Sequence, residues 1–190
     1  MPGLNASEVR VGISGAVFVA PLGTTLPTDP TAALNAAFVN LGYFTEDGVD
    51  VDPSTTAKMI RAWQSRYPVR NLVTERAFRI KFKCEQRNRD VFKLAYGGGT
   101  FTVTGTAPNQ ITKFVPPTAA DVYEFALVFE VYDGTITDRY TTARAMVGEV
   151  EAIPFKKDEP ETYGFAVEVL ESSAGVAPWQ MYTNDQALAS

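Results

Sequence analysis

Two stretches of the chain alternate strictly between apolar and polar residues, which is the two-residue period of a half-buried β-strand. The first stretch, ERAFRIKFKCE, has an apolar face and a cationic face. The apolar face holds Phe78, Ile80, Phe82 and Cys84, and the cationic face holds Arg79, Lys81 and Lys83. We expect the apolar face to pack on a core and the cationic face to meet solvent or a partner.

The second alternating stretch, VYEFALVFEVY, begins a predicted hairpin. Its apolar face comprises Tyr123, Phe125, Leu127, Phe129 and Val131, with Glu124 and Glu130 on the opposite face. Asp133-Gly134 follows and suits a tight turn that requires positive φ. The chain then returns through TITDRYTTARAMVGEV. This pattern predicts a pair of long antiparallel strands.

Shorter strands are predicted between clusters of Gly, Pro, Asn and Thr, at residues 15–21, 100–105, 111–115 and 163–171. Many strands separated by turns favour an antiparallel β-sandwich or a partly open barrel. A helix over about 88–97 has Asn88 as its N-cap, Asp90 in its first turn and a glycine run at its end. A weaker helical pattern covers residues 31–40. The predicted fold is therefore mainly β, with one short flanking α-helix.

The segment IRAWQSRYPVRN is predicted to form the tip of a long inter-strand hairpin loop within residues 45–75. Strands over 54–64 and 70–84 flank a turn near Ser65 to Pro68, because proline suits a turn or an edge and disrupts a central strand. Three interpretations are open for this tip: a solvent loop, a nucleic-acid patch or a protein interface rich in aromatic and arginine residues.

The composition narrows the possible chemistry. The chain has 190 residues, a length that suits a single domain, and it contains no histidine and one cysteine. These counts exclude Ser-His-Asp and Cys-His catalysis, imidazole metal sites and an intrachain disulfide. The net charge of −5 argues against a protein that wraps nucleic acid electrostatically.

Neither a membrane segment nor a signal peptide is predicted. No run of about 18 apolar residues is present, and the N-terminus MPGLNASEVRVG lacks the pattern of a secretory signal. We therefore expect synthesis in a cytoplasm and no membrane partner.

Two local clusters resemble ligand sites but lack the required spacing. Gly97–Gly99 end a helix, whereas a phosphate-binding loop precedes one. The acidic stretch EDGVDVDP lacks the ligand spacing of an EF-hand, so a solvated acidic turn is the better prediction. No carboxylate pair can be assigned to acid–base work, and no catalytic, metal or cofactor site is predicted.

Three segments together resemble the major tail proteins, or tail tube proteins, of bacteriophages with long non-contractile tails, especially those of actinobacterial hosts. They are GAVFVAPLGTTLPTD, ALNAAFVNLGYFTEDGVDVDPSTTAKMIRAWQ and FRIKFKCEQRNRDVFKLAYGG. The most specific element is their order: an early small strand, LGYFTEDGV, an Ala-Trp near a strand end, and an alternating strand that runs into a helix closed by YGG. The resemblance covers roughly the first 100 residues.

The resemblance implies a structural role in the virion. Proteins of this family form a β-sandwich with a flanking helix, assemble as hexameric rings and stack into a hollow tube through which double-stranded DNA passes during ejection. They assemble around a tape measure protein, between a tail terminator and distal tail proteins. The family implies no catalytic residues and no cofactor.

Three sets of residues are candidate assembly sites. The ring-stacking set comprises the hairpin residues Arg61, Trp63, Arg66, Tyr67 and Arg70 with the acidic Asp47, Asp50 and Asp52. The face bearing Glu124 and Glu130 is expected to line the bore, with Arg79, Lys81 and Lys83 as candidate ion-pair partners. Flanking the 15–172 core, residues 1–14 and 173–190 are expected to be extended arms, the second anchored by Trp179, Met181 and Tyr182.

Other function classes stay open at this stage. A related ring-forming protein, such as a secretion-system tube protein or a tail terminator, shares the expected fold but differs in whether its rings stack. A carbohydrate-binding β-sandwich would share the strands and the exposed aromatics. An enzyme built on carboxylates would require a deep pocket with paired acids.

Overall fold

The computed structural model describes residues 4–118, 122–173 and 175–189. Residues 1–3, 174 and 190 of the predicted arms lie outside the described residues. The helix α1 spans Arg89–Ala95, and short 3-10 turns cover Ala6–Glu8 and Gln186–Leu188. The strands are β1 Ser14–Pro21, β2 Val39–Asn40, β3 Phe44–Arg61, β4 Pro68–Cys84, β5 Thr100–Thr104, β6 Ile111–Val115, β7 Glu124–Asp133, β8 Ile136–Val150, β9 Tyr163–Val169 and β10 Gln180–Thr183.

Eight of these strands form one antiparallel sheet. Its order is β2-β1-β7-β8-β9-β4-β3, with β10 paired to the first half of β8, while β5 and β6 form a separate hairpin. The sheet folds over itself, so that the free edge of β1 and the edge strand β3 face each other across a cleft without closing a barrel. The predicted mainly β fold, consistent with a sandwich, is confirmed.

The core lies between the folded halves of the sheet and under α1. The predicted alternation of β4 is confirmed: Phe78, Ile80, Phe82 and Cys84 are buried, whereas the cations between them point outward. β7 is different, because Ala126, Val128 and Glu130 on its second face are buried as well. The loop of residues 22–38 lies over that face, which explains why the strand is buried on both sides.

The predicted hairpin of β7 and β8 is present, with its turn shifted by one residue. Asp133 is the last residue of the ladder and lies opposite Ile136. The two-residue loop is therefore Gly134-Thr135, and the positive φ of 63° falls on Gly134. Glycine at the first loop position with positive φ fits a type II′ turn, which matches the twist of the flanking strands.

The helix α1 begins at the predicted cap. The Asn88 side chain accepts hydrogen bonds from the backbone N–H groups of Asp90 and Val91 at 3.0 and 2.8 Å. After the helix, Gly98 N–H donates to the carbonyl of Lys93 at 2.7 Å, and Gly97 has φ of 70°. Aromatic side chains then hold the β5–β6 hairpin against the helix, through Phe92, Tyr96, Phe101 and Phe114. Among the described residues, no helix has the length and apolar character needed to cross a bilayer.

The weak helix predicted for residues 31–40 is wrong. This segment is a loop whose only strand is the short β2. The Asp29 side chain binds the N–H groups of Thr31 and Ala32 at 2.7 and 2.8 Å, which is local hydrogen bonding that competes with a helix. Arg139 also donates to the carbonyl of Ala32, an acceptor that a helix would use. Tertiary contacts therefore override the helix propensity of the alanines.

A buried ion pair fastens this loop to the sheet. Arg139 Nε donates to Glu130 Oε1 at 2.6 Å, and both side chains are 5% exposed. The same guanidinium donates from Nη1 to the carbonyl oxygens of Asp29 and Ala32 at 2.5 and 2.9 Å. Tyr132 donates its hydroxyl to the other oxygen of Glu130. Because every charged atom here has a partner, the pair can remain buried, and it fixes the loop over β7.

We expect loss of Arg139 to destabilise the subunit strongly. Arg139→Leu leaves the Glu130 carboxylate buried without its cation, which typically costs about 3–5 kcal/mol of unfolding free energy. Arg79→Leu is the matched control, since the pair of Arg79 with Glu168 is exposed and worth about 1 kcal/mol or less. Urea denaturation of unassembled protein measures both, and equal midpoints for the two variants would contradict the expectation.

Candidate assembly interface

The strand pair β3–β4 continues far beyond the sheet. β9 pairs with β4 only from Arg79 to Cys84, so residues 68–78 of β4 have β3 as their only partner among the described strands. We call residues 53–77 the ribbon. At about 3.3 Å per residue, its two strands project about 30 Å from the last residue paired with β9. The predicted long hairpin is present, but β3 begins ten residues earlier and ends three residues earlier than the predicted 54–64, and β4 begins two residues earlier than the predicted 70–84.

One face of the ribbon continues the core-facing side of the sheet, but its side chains are exposed. Val49 and Val51 of β3 pack against the core, and Ala57 and Met59 continue the same face farther out by the two-residue period. Val73 lies opposite Ala57 on this face, and both Met59 and Val73 are exposed. A two-stranded hairpin is at best marginally stable in water by itself, so this face is suited to contact another surface.

The tip is a six-residue loop from 62 to 67. Ser65 organises it, donating its hydroxyl to the carbonyl of Tyr67 at 2.9 Å and its N–H to the carbonyl of Ala62 at 3.1 Å. Pro68 is the first residue of β4 and not part of the predicted turn, and the first position of a strand is one that proline tolerates. Trp63 is 99% exposed and Tyr67 is 79% exposed, so the two aromatic rings of the tip have almost no cover within the subunit.

Charge is divided unevenly between the ribbon and the rest of the subunit. The ribbon has five cations and one carboxylate, a net charge of +4, from Lys58, Arg61, Arg66, Arg70, Arg76 and Glu75. Since the whole chain has a charge of −5, the remaining residues carry −9. Within the described ranges, the three arginines at 61, 66 and 70 form no ion pair. A cationic protrusion on an acidic body is electrostatically complementary to a second copy of the same body.

The acidic stretch EDGVDVDP is part of β3, so the predicted acidic turn is wrong. The register is irregular between Phe44 and Val49, and Gly48 there has φ of 73°. Asp52 binds Lys81 Nζ at 3.3 Å, whereas Asp47 and Asp50 form no ion pair in the described part of the chain. These carboxylates lie on β3 near the base of the ribbon. Because the strand runs away from them toward the tip, the tip arginines cannot reach them within one subunit.

The outward cations of β4 form a charged ladder with the strands on either side. Arg79 binds Glu168 at 2.9 Å, Lys81 binds Asp52 and Lys83 binds Glu151 at 2.9 Å. The hydrogen bond that Lys83 donates to the Glu151 carboxylate raises the pKa of Lys83. With Asp47, Asp50 and Glu149 beside them, this ladder face presents six carboxylates against three cations. The face lies on the outer surface of β3, β4, β9 and the end of β8.

The predicted pairing of these cations with Glu124 and Glu130 does not occur within the subunit. Glu124 binds Arg144 instead, through contacts of 2.8 and 2.7 Å to the guanidinium. That hydrogen bond lowers the pKa of Glu124. Glu130 binds Arg139 and is 4% exposed. The sequence pattern places both acids on one face of β7 correctly, but it does not reveal the loop that covers Glu130.

The C-terminal segment docks on its own subunit. Trp179 stacks on Phe78 with ring centroids 4.3 Å apart and 18° between the planes. Met181 and Tyr182 belong to β10, where they lie opposite Tyr140 and Arg139 of β8. The N-terminal segment is held near the β7–β8 turn by Arg10, which lies 3.2 Å from Asp133 and 3.3 Å from Asp185. The described parts of both predicted arms are therefore held on their own subunit, the C-terminal one by Trp179, Met181 and Tyr182 and the N-terminal one by Arg10.

The strand directions give the subunit two distinct ends. The N–H of Leu41 donates to the carbonyl of Val17, which places the start of β3 beside β1. From this point, the chain leads to the same end of the subunit whether it is followed toward the N-terminus along β1 or toward the C-terminus along β3. The ribbon, both terminal segments and the β7–β8 turn therefore emerge together, and we call this the ribbon end. α1 and the β5–β6 hairpin lie at the other end, which we call the helix end. Such polarity is required for head-to-tail association.

A cleft with a volume of about 660 Å³ lies on the ladder face. Its lining includes Asp47, Asp50, Lys81, Lys83, Glu149 and Glu151. The described residues contain no group of three or more acidic or cysteine side chains placed to hold a metal ion. The arrangement offers charged surface for contact with another macromolecule.

Comparison with known families agrees with a role in assembly. A family model described as phage tail tube protein matches residues 2–190. No curated protein matches the chain.

The body should fold without the ribbon. Replacing residues 56–75 by Asn-Gly joins the opposed Thr55 and Arg76 through a two-residue turn. Because the deleted residues are exposed, we expect the unfolding free energy to change by about 1 kcal/mol or less. Phe78→Ala, in the core at the base of the ribbon, is the contrasting variant with an expected cost of about 3–5 kcal/mol. Urea denaturation distinguishes them, and a truncation as damaging as Phe78→Ala would show that the ribbon supports the fold.

Proposed function

Because the chain belongs to the phage tail tube protein family, we propose that its copies form hexameric rings that stack into the hollow tube of a phage tail. Family membership makes it a structural protein of the virion tail that assembles into a tube with itself and other tail proteins. Under the proposal, double-stranded DNA moves through the tube into the host. The observation that supports it best is the exposed ribbon, which has a charge of +4 on a body of −9.

Lateral association removes the exposed edges of the sheet. β3 is an edge strand, and β2 covers only Phe18 and Val19 on the free side of β1. Exposed edges of long strands invite uncontrolled pairing, and closure of a ring removes them. Identical head-to-tail contacts close into a ring when the rotation between copies permits it. A hexamer is the closed form that the proposal assigns to this chain.

Stacking brings the ribbon of one copy onto a neighbouring ring. The ring-stacking set then comprises Arg61, Trp63, Arg66, Tyr67 and Arg70 on the ribbon, with Asp47, Asp50 and Asp52 as candidate partners on the facing copy. Aromatic and arginine residues are the types enriched at the energetic centres of interfaces. Asp47 and Asp50 are exposed and have no ion pair among the described residues, so they are accessible to an arginine from another copy.

Other partners follow from the place of such a tube in a tail. A tape measure protein would occupy the bore during assembly, and a tail terminator and distal tail proteins would bound the stack. Subunits would be made in the host cytoplasm and incorporated into the virion. The terminal segments emerge at the ribbon end, so residues 4–13 are placed to contact an adjacent ring, with Val9, Val11 and Ile13 exposed.

The tip variants test the stacking role. Trp63→Ala and Arg66→Glu should weaken tube formation without changing the unfolding free energy, because both side chains are exposed. Lys157→Glu makes the same charge change in an exposed loop and serves as the control. Negative-stain microscopy and sedimentation measure assembly. Normal tubes from both tip variants would exclude the ribbon tip as the stacking contact.

The bore requires a surface that does not retain DNA, since cationic contacts with phosphates supply most non-specific affinity. The bore-facing role of Glu124 and Glu130 stays a prediction, but Glu130 is buried and neutralised by Arg139. The ladder face is exposed and has a net charge of −3, from three cations and six carboxylates. We therefore propose that the ladder face lines the bore, where six copies would contribute −18 to each ring. Asp47, Asp50 and Asp52 then belong to the inner wall, and the tip arginines bind other carboxylates of the facing copy.

A tube reconstruction tests this assignment directly. We expect Asp50, Lys81 and Glu149 to lie on the inner wall, and Glu124 to lie away from it. Inner-wall positions for Glu124 and the loop of residues 22–38 would instead favour the face predicted from the sequence and overturn the assignment.

A further inference from the structure

Trp63 is the large apolar side chain with the greatest exposure in the described residues, at 99%. It lies at the tip of a ribbon that points away from its own core, so its own subunit offers it no site. A tryptophan in this position gains most when it fills a pocket on a partner, because a large rigid ring buries much area at little entropic cost. The inference below rests on the proposed self-assembly and names the receptor for this side chain.

The helix end carries an apolar groove between α1 and the end of β8. Its volume is about 260 Å³. The lining residues are Leu94, Ala95, Gly97, Val122, Tyr123, Met146, Val147 and Val150. Among the described residues, no charged side chain lines it, which distinguishes it from the cleft on the ladder face. Its shape and lining suit one aromatic side chain.

The rim of the groove has a carboxylate. Burial raises the pKa of the Tyr123 hydroxyl, and the charge of the nearby Asp90 raises it further. Asp90 lies 3.8 Å from Lys93, and both side chains are about one-third exposed, so the carboxylate is accessible to a second cation. On the other side of the contact, Arg61 and Arg66 flank Trp63 within three residues and have no ion pair among the described residues. An apolar centre with opposite charges around it is the usual composition of a specific interface.

The groove and the tip lie at opposite ends of the subunit. Head-to-tail stacking therefore brings the ribbon end of one copy to the helix end of the next. We propose that Trp63 of one copy inserts into the α1–β8 groove of a second copy, with Arg61 and Arg66 facing the carboxylate of Asp90 at the groove rim. A second copy is the occupant because the ribbon, at +4, is complementary to the acidic body and repels another ribbon.

Trp63 fluorescence reports the insertion. The chain has two tryptophans, and Trp179→Phe keeps an aromatic ring on Phe78 while leaving Trp63 as the sole indole. We expect the emission of this variant to move to shorter wavelength on assembly and to become protected from an aqueous quencher. Tubes that form with the emission still that of a solvated indole would overturn the inference.

Groove variants test the receptor. Val122→Arg places a cation at the groove margin, where residue 122 is exposed, so the fold is preserved. We expect it to raise the apparent Kd of assembly by about tenfold or more, as loss of an interface hot spot does. Val103→Arg adds the same charge to β5 outside the groove and is the matched control. Equal assembly of the two variants would overturn the inference.

Combining variants separates a shared contact from two independent ones. If Trp63 occupies the groove, the double variant Trp63→Ala with Val122→Arg should assemble as well as the more impaired of the two single variants, because both substitutions remove the same interaction. Additive losses would show that the groove binds something else, such as another segment of the neighbouring copy, and would overturn the inference.

Cross-linking locates the contact. Gln64→Cys with Val122→Cys should yield intermolecular disulfides in assembled protein, whereas Gln64→Cys with Val103→Cys should not. Burial raises the pKa of the native Cys84 to about 12, so this thiol contributes little background. Tubes without the first cross-link would place the tip elsewhere and leave the proposed function intact. A wild-type chain that forms neither rings nor tubes would instead overturn the proposed function.

Discussion

The continuous pairing of β3 with β4 is the interaction on which the rest of the structure depends, because one ladder runs from the core to the exposed tip. Burial of Ile80 and Phe82 fixes the register of the inner half. A slip of one residue would turn these side chains to solvent and bring Lys81 inward. The hydrophobic effect in the core thus sets the direction of a ribbon whose own residues make few stabilising contacts. The irregularity between Thr56 and Ala57 lies where the ribbon leaves the core.

Two kinds of ion pair have different roles in this molecule. The pair of Glu130 and Arg139 is desolvated and shares its guanidinium with two loop carbonyls, so it specifies the path of a loop that has little regular structure. The ladder pairs are exposed on both partners and contribute little stability, because water and salt screen them. Their effect is on the surface potential: they neutralise the cations of β4 and leave an excess of carboxylates. The arginines of the ribbon, which form no ion pair in the described part of the chain, are available for association.

Local patterns in the sequence predict much of the fold. The alternation from Phe78 to Cys84, the Asn88 cap and the β7–β8 hairpin are all local, and the structure contains each of them. The failures arise where distant residues decide the outcome. Residues 31–40 are a loop because Arg139, about 100 positions away, binds carbonyls there. Glu130 occupies a face that alternation assigns to solvent, and only the loop that covers it explains its burial. The acidic stretch lies in a strand because it pairs with β4.

The candidate interface was predictable in its residue types but not in its geometry. The arginines and aromatics of IRAWQSRYPVRN are visible in the sequence, as is the charge of each segment. Sequence spacing cannot show that the pairing of β9 with β4 stops at Arg79, which leaves the ribbon without a second partner among the described strands. Nor can it show that α1 and the end of β8 enclose a groove, since their residues are about 50 positions apart.

The division of charge also bears on how copies recognise one another. Two ribbons repel each other, so stacking of like ends is disfavoured while ribbon-to-body contacts between rings are favoured. Each copy has one ribbon and one body, and each ribbon-to-body contact leaves a free ribbon at one end and a free body at the other. Association of this kind propagates in one direction with every contact equivalent. Under the proposed stacking, the marginal stability of an isolated hairpin adds a further condition: part of the gross contact energy is used to order the ribbon as it docks. Under the same proposal, electrostatic attraction governs the rate at which copies meet, whereas burial of the apolar face and the tip aromatics governs how long they stay together.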